Sequence, residues 1–365
     1  MISRKIAVGL GLMMALVTQA ESTMRLPSAE PPGGLEVDQV PMFVMIGFDD
    51  NPDLAPMRWI LDFLAEKSNP TGSSQTTTFD GAPVRVAFYS NGKYLENSLA
   101  LRELHQRAFR EGHEIGNHTH NHFSGGEFEQ ATWAGEMNLC HESLLACNIP
   151  AAEIQGFRAP YLDHNDAMFL AARERGLIYD TSLQEGVQPH EDGTNFLWPF
   201  TLDQGSPGNA WYHGPGSPKH VTSHPGFWEI PLHMFMVPPD AQATEYDIEP
   251  GLAQRIHDSI AENQGWEWSQ EDRKIAGLDW NVLEGAGRSA DEFYAILKHT
   301  LDLRLAGNRA PLMVGAHTAM YPEEMSDRRE AIETFITYAL SYPEVRIVTP
   351  ADVLTWLRDP VALRE

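Results

Sequence analysis

The sequence predicts an α/β protein built on a parallel sheet, and three observations carry the prediction. Short apolar runs alternate with helix-patterned segments along most of the chain, as successive βαβ units require. The first run, residues 41–48, is nearly all apolar, as a strand covered on both faces would be. Third, the residues able to do chemistry fall at the ends of such runs, where parallel α/β sheets and barrels place their sites.

The elements follow in order. Residues 21–39 are polar and contain Pro-Pro-Gly-Gly, an extended lead-in to the first strand. That strand ends at Asp49-Asp50-Asn51, and residues 54–66 read as a helix. Residues 84–89 form the next strand, 99–110 a helix, and 114–116 a strand leading into a histidine cluster. A helix over 133–147, a strand end at Gly156-Phe157-Arg158, a helix over 167–175 and a strand at 177–179 complete this alternation. Residues 184–239 break the pattern: they are rich in Gly, Pro, His and Trp, and loops of that length are usually functional. Helices return at 251–263 and 290–305, a strand at 312–316 ends at His317, and residues 328–340, 345–348 and 351–357 give helix, strand and helix.

Composition narrows the partners. The chain has 365 residues with 51 acidic against 26 basic side chains, a formal charge of -25. Phosphate-reading proteins need a basic face, so nucleic acid is excluded as a partner. Docking on an anionic membrane is excluded for the same reason. At 42% hydrophobic residues the chain can bury a sizeable core. Residues 1–20 read as a secretory signal: Arg4 and Lys5 precede the apolar run 6–17, which is short for a bilayer span. Cleavage is the favoured reading and leaves a secreted or periplasmic protein; an uncleaved anchor is the alternative. The domain plan is then a signal at 1–20, a lead-in at 21–40 and one catalytic domain at 41–365. Cys140 and Cys147, the two cysteines, lie seven apart in a helical pattern. That separation is ~10.5 Å of helix rise, too far for a disulfide, so both are expected as buried or unpaired thiols.

Three elements could build a metal site. Asp49-Asp50 follows the buried strand, and His118, His120 and His122 sit in one short run. His118 and His122 are four apart, so one helical turn would put both on one face. Two imidazoles and one carboxylate leave a position open for water, the pattern of a catalytic zinc site. Such a site lowers the pKa of its water. Asp49 could then take a proton, His317 could give one to a leaving group, and Arg158 could hold Asp49 ionised. Each piece also has a plain reading: Asp-Asp-Asn as a turn, the histidines as a polar loop, His317 as a core residue. Their common placement at strand ends argues against coincidence.

In their order, Phe48-Asp49-Asp50, His118-Thr119-x-x-His122, Arg158-Ala159-Pro160-Tyr161 and His317 resemble the polysaccharide deacetylases, the NodB-type carbohydrate esterases of family 4. The resemblance runs from about Pro41 to Trp356. Gly112–Ile115, Leu197-Trp198-Pro199, Trp228-Glu229 and Asn308–Leu312 most resemble the chitin-deacetylase branch. It implies a distorted (β/α) barrel with long loop insertions. It implies Asp50, His118 and His122 as ligands of a divalent metal, with zinc first and cobalt or manganese next. It implies Asp49 as general base, His317 as general acid, Arg158 as the residue tuning Asp49, and the backbone N–H of Tyr161 as an oxyanion donor. The implied activity is N-deacetylation of N-acetylglucosamine polymers. Another glycan (peptidoglycan, xylan or an exopolysaccharide) is the alternative, and a non-catalytic carbohydrate-binding relative is a further one.

Two positions depart from the family. Gly315 stands where a bulky residue is usual, which predicts a wider floor to the site. The carboxylate that orients the acid does not map, leaving Asp180 and Asp279 as candidates. His120, between the ligands, is expected to face solvent. Among the tryptophans, Trp198 is expected in the core and Trp228 as a platform for a sugar ring.

Overall fold

The computed structural model describes residues 24–364. The signal segment expected at residues 1–20 lies outside the described residues. The strands are β1 (Met42–Asp50), β2 (Ala87–Ser90), β3 (Glu114–Asn117), β4 (Gly156–Phe157), β5 (Tyr179–Asp180), β6 (Gln184–Glu185) and β7 (Phe200–Thr201). They continue as β8 (Trp228–Glu229), β9 (Leu232–His233), β10 (Phe235–Met236), β11 (Lys274–Ile275), β12 (Leu312–His317) and β13 (Val345–Ile347). The helices are α1 (Leu54–Leu64), α2 (Gly92–Glu96), α3 (Leu99–Arg110), α4 (Gln130–Leu145) and α5 (Asp166–Arg175). After the irregular stretch come α6 (Leu252–Gln264), α7 (Ala290–Ala306), α8 (Ser326–Leu340) and α9 (Pro350–Arg358).

The main sheet runs β12-β1-β2-β3-β4-β5-β8-β7, with β13 beside the first half of β1. Its pairs are parallel except β7 with β8. The short pair β6–β9 and a bridge from Leu278 to Gly315 stand between its two edges, so the sheet curls into an incomplete barrel. This is the α/β barrel with long insertions that the sequence predicts.

The alternation along β1 explains why that strand is apolar throughout. Met42, Val44, Ile46 and Phe48 join the cluster under the helices, while Phe43 and Met45 join the barrel interior. Each face therefore has its own core, and Asp49 continues the interior-facing series. The lead-in is pinned to the body: the backbone N–H of Trp198 donates to the Ser28 carbonyl at 2.9 Å, and that of Thr201 to the Arg25 carbonyl at 2.7 Å. Cys140 and Cys147 are buried free thiols, although α4 ends at Leu145, before Cys147. Among the described residues no helix is long and apolar enough to cross a membrane.

Candidate active site

The site grows from the carboxyl ends of β1, β3, β4 and β12. Asp49 is paired in register with His317 across β1 and β12, so two titratable groups meet on neighbouring strands. Beneath them lies Arg158, which follows β4 and is fully buried. Its Nη1 donates to Asp49 Oδ1 at 2.9 Å, its Nε donates to the Thr181 carbonyl at 3.1 Å, and the guanidinium sits 4.6 Å from the Tyr89 ring centre. Gly47 makes room for it, since a Cβ there would lie 3.1 Å from Nη1 and 2.9 Å from the Tyr89 ring. Burial raises the pKa of Asp49, and Arg158 and His317 pull it down by less, so the net shift is upward.

The next residue points elsewhere. Asp50 and Asn51 take left-handed backbone, φ 66° and 55°, which turns the chain at the strand end. The Asn51 amide fixes this turn by donating to the Phe48 carbonyl at 2.9 Å and to Ser90 Oγ at 3.0 Å. Asp50 Oδ1 then lies 3.6 Å from His118 Nε2 and 3.2 Å from His122 Nε2. One donor atom from each of the three residues falls within 4.8 Å of the others. The histidines do not meet on a helix, as their spacing suggested. Thr119 and His122 both have φ 62°, and this irregular loop brings the rings together. His118 Nδ1 lies 2.7 Å from the Arg158 carbonyl; a carbonyl only accepts, so Nδ1 carries the hydrogen and Nε2 presents a lone pair. Burial pushes His118 down to about 3 and lowers His122 as well, so both rings stay neutral. Asp50 Oδ1 is buried without a hydrogen-bond partner. Two neutral imidazoles beside an orphaned carboxylate oxygen fit a divalent cation with an open position.

On the opposite wall His317 Nδ1 lies 2.7 Å from Asp279 Oδ1, and the His317 backbone N–H donates to Asp279 Oδ2 at 2.9 Å. Asp279 is therefore the carboxylate that orients His317. Asp180 is occupied instead by the Ser182 hydroxyl and N–H at 2.7 and 2.8 Å. Burial opposes charge on His317, but Asp279 outweighs it with help from Asp49 and Asp50, and the ring is pushed up to about 9.

Together these residues line a cavity of about 550 Å³. Tyr161 stands at its edge with φ 57°, its ring 70% exposed and 4.6 Å from that of His122. Trp280, 47% exposed, also lines the cavity. The tryptophan reading placed the platform elsewhere, and only the neighbouring Asp279 pointed to Trp280. Trp228 is a correction: it is 2% exposed in the barrel interior, so its ring is covered and cannot stack on a sugar. Trp198 is buried as expected. His120 does not face solvent; it is buried, and its N–H donates to Glu136 at 3.1 Å. Nor does Gly315 widen the floor. A Cβ there would lie 2.3 Å from the Leu278 side chain, so Leu278 already fills that space.

Comparison with known proteins agrees with this architecture. Residues 37–179 match the family model described as polysaccharide deacetylase. Chitin deacetylase 1 of Bombyx mori is 26% identical over 92% of this chain and 54% of its own length. Chitin deacetylase 8 of the same organism is 23% identical over 98% of this chain and 83% of its own. The chain thus spans about half of the first relative. A Mycobacterium smegmatis protein assigned to the polysaccharide deacetylases has the same fold, with a TM-score of 0.53 at 14% identity, over 93% of this chain and 99% of that one. Residues 37–179 thus match a polysaccharide deacetylase domain, and nearly the whole chain is similar to chitin deacetylases. Within that class, its curated relatives named here are chitin deacetylases.

Proposed function

We propose that the chain hydrolyses the acetamide of N-acetylglucosamine polymers or oligomers, releasing acetate. One observation carries the reading. A single cavity holds a carboxylate braced by arginine, an Asp/His/His donor set and a histidine backed by a second carboxylate. A protein that only binds sugar has no use for all three.

Asp50, His118 and His122 would hold a divalent metal, zinc before cobalt or manganese given the nitrogen-rich set. When bound, the metal supplies polarisation of the acetyl carbonyl and a water of lowered pKa. Asp49 takes a proton from the attacking water, and its raised pKa makes it a stronger base than an exposed aspartate. Arg158 keeps that carboxylate oriented and resists its protonation. The backbone N–H of Tyr161 donates to the developing oxyanion. His317, protonated at neutral pH, gives its proton to the departing nitrogen as the C–N bond breaks. The new C–O bond leaves with the acetate. Tyr161 and Trp280 offer aromatic faces for the sugar. Export follows from the residue pattern at 1–20, and it brings the site to an extracellular or periplasmic glycan.

The test is an acetate-release screen over chitin oligomers, peptidoglycan and acetylxylan. Release from chitin oligomers that a chelator abolishes and zinc, cobalt or manganese restores is expected. No release from any of the three with any of these metals would overturn the reading.

A further inference from the structure

The loop that carries both histidine ligands has no regular structure of its own, and its backbone is held from outside. After β3, the His118 N–H donates to the Ser90 carbonyl at 3.3 Å and the Thr119 N–H to Asn117 Oδ1 at 3.0 Å. The carbonyls of Thr119 and His120 accept from the N–H groups of Gly92 and Lys93 at 3.2 and 3.1 Å, and that of Asn121 from Lys93 Nζ at 3.0 Å. Gly92 permits this approach, since a Cβ there would lie 2.5 Å from His120 Nδ1. At the tip, the backbone N–H groups of His120 and Asn121 both donate to one carboxylate oxygen, Glu136 Oε2, at 3.1 and 2.8 Å. The other oxygen accepts from Asn121 Nδ2 at 2.8 Å.

Glu136 is buried on α4. A buried carboxylate needs donors in place of its lost water, and the loop between the two ligands supplies them. Thr119 and His122 flank those donors with φ 62°, a conformation costly for a residue with a Cβ unless its surroundings impose it. His118 has a further anchor, Nδ1 on the Arg158 carbonyl. The His122 ring meets Asp50 at 3.2 Å and the Tyr161 ring at 4.6 Å, so its aim depends on the loop backbone.

We propose that Glu136 is a positioning residue of the metal site: its carboxylate holds the left-handed loop that presents His122 to Asp50 and His118. Without it the buried N–H groups of His120 and Asn121 lose their acceptor, and the loop relaxes away from the ligand geometry. The metal must then rebuild that geometry on binding, which lowers its affinity.

This role rests on the proposed metal-dependent reading, and the experiment separates the two. The metal-stripped full chain is titrated with zinc against a competing chelator. Glu136→Ala should weaken zinc binding roughly 10–100-fold, the usual cost of losing a group that orients metal ligands. Glu136→Gln keeps one oxygen for the two backbone N–H groups and should lose less, which tests the role even if the alanine variant folds poorly. Leu144→Ala, a core truncation on the same helix, should lower stability and leave zinc affinity unchanged. Amide hydrogen exchange at His120 and Asn121 should speed up in Glu136→Ala and not in Leu144→Ala. Wild-type zinc affinity in both Glu136 variants, unchanged exchange at the two amides in Glu136→Ala, or an equal loss of affinity in Leu144→Ala overturns the proposal. A wild type that binds no zinc sinks the donor set and this role with it. A wild type that binds zinc yet releases no acetate from any glycan sinks the deacetylase reading alone.

Discussion

The two walls of the catalytic cavity are assembled differently. On one wall Asp50, His118 and His122 come from β1 and the loop after β3, inside the stretch that matches the family model. On the other, His317 and Asp279 are 38 residues apart and meet because Leu278 bridges Gly315 beside β12. The first wall is set by local turns with left-handed residues. The second is set by a long-range contact between a loop and a strand. The short spacing of His118 and His122 makes that part of the first wall visible in a sequence; bringing them to Asp50, like bringing Asp279 to His317, depends on how distant segments settle against each other.

Predictions can break or sharpen this contrast. The largest effect is expected on the first wall. Asp50→Ala should abolish metal binding by equilibrium dialysis and reduce turnover to background; bound metal at wild-type stoichiometry would refute the donor set. Asp49→Asn should keep the metal and lose roughly 10²–10⁴-fold in kcat, the usual worth of a general base. If the metal were lost as well, the division of labour between the adjacent aspartates would be wrong.

Asp279→Asn probes the second wall through pH. His317 is held at about 9 against an ordinary 6.5, so it keeps its proton below that value and loses it above. Activity should therefore fall on the alkaline side near pH 9, and on the acid side as Asp49 protonates above the ordinary carboxylate value. Asp279→Asn should move the alkaline limb of the kcat profile down towards 6.5. The same pair should stabilise the fold fully below about 6.5 and lose that contribution as pH rises through about 9, which thermal melts across pH would show. An alkaline limb that stays in place would remove Asp279 from its positioning role.

Gly315→Val should cost roughly 1–3 kcal/mol in denaturant unfolding, because Leu278 occupies the space its side chain needs. It should also shift the alkaline limb by displacing the bridge; a variant as stable as the wild type would mean that the bridge yields freely. The smallest effect on catalysis belongs to Trp228→Ala. It should lose roughly 3–5 kcal/mol of stability, as a buried tryptophan does, with KM for glycan unchanged in the folded fraction. A raised KM at unchanged stability would restore Trp228 as a sugar platform.

Much of the site was legible because strand ends and apolar runs are local signals. The pairing of Asp49 with Arg158 was expected from charge and is met at 2.9 Å. The geometry of His118 and His122 was misread, since spacing alone cannot tell a helical turn from a loop with φ 62° at Thr119 and His122. Trp228 is hidden in the barrel interior beside the equally buried Glu229, a burial that no local pattern at 228–229 shows.

The sequence by itself determined the α/β alternation, the two-faced core of β1 and the residue types brought to the strand ends. Each depends on hydrophobic period and on side chains near one another in the chain. Only the tertiary structure decided which aspartate backs His317, that Leu278 fills the space above Gly315, and that Trp280 rather than Trp228 faces the cavity. Those outcomes turn on packing between segments far apart in sequence, where a single clash or vacancy selects one neighbour over another and no local pattern records the choice.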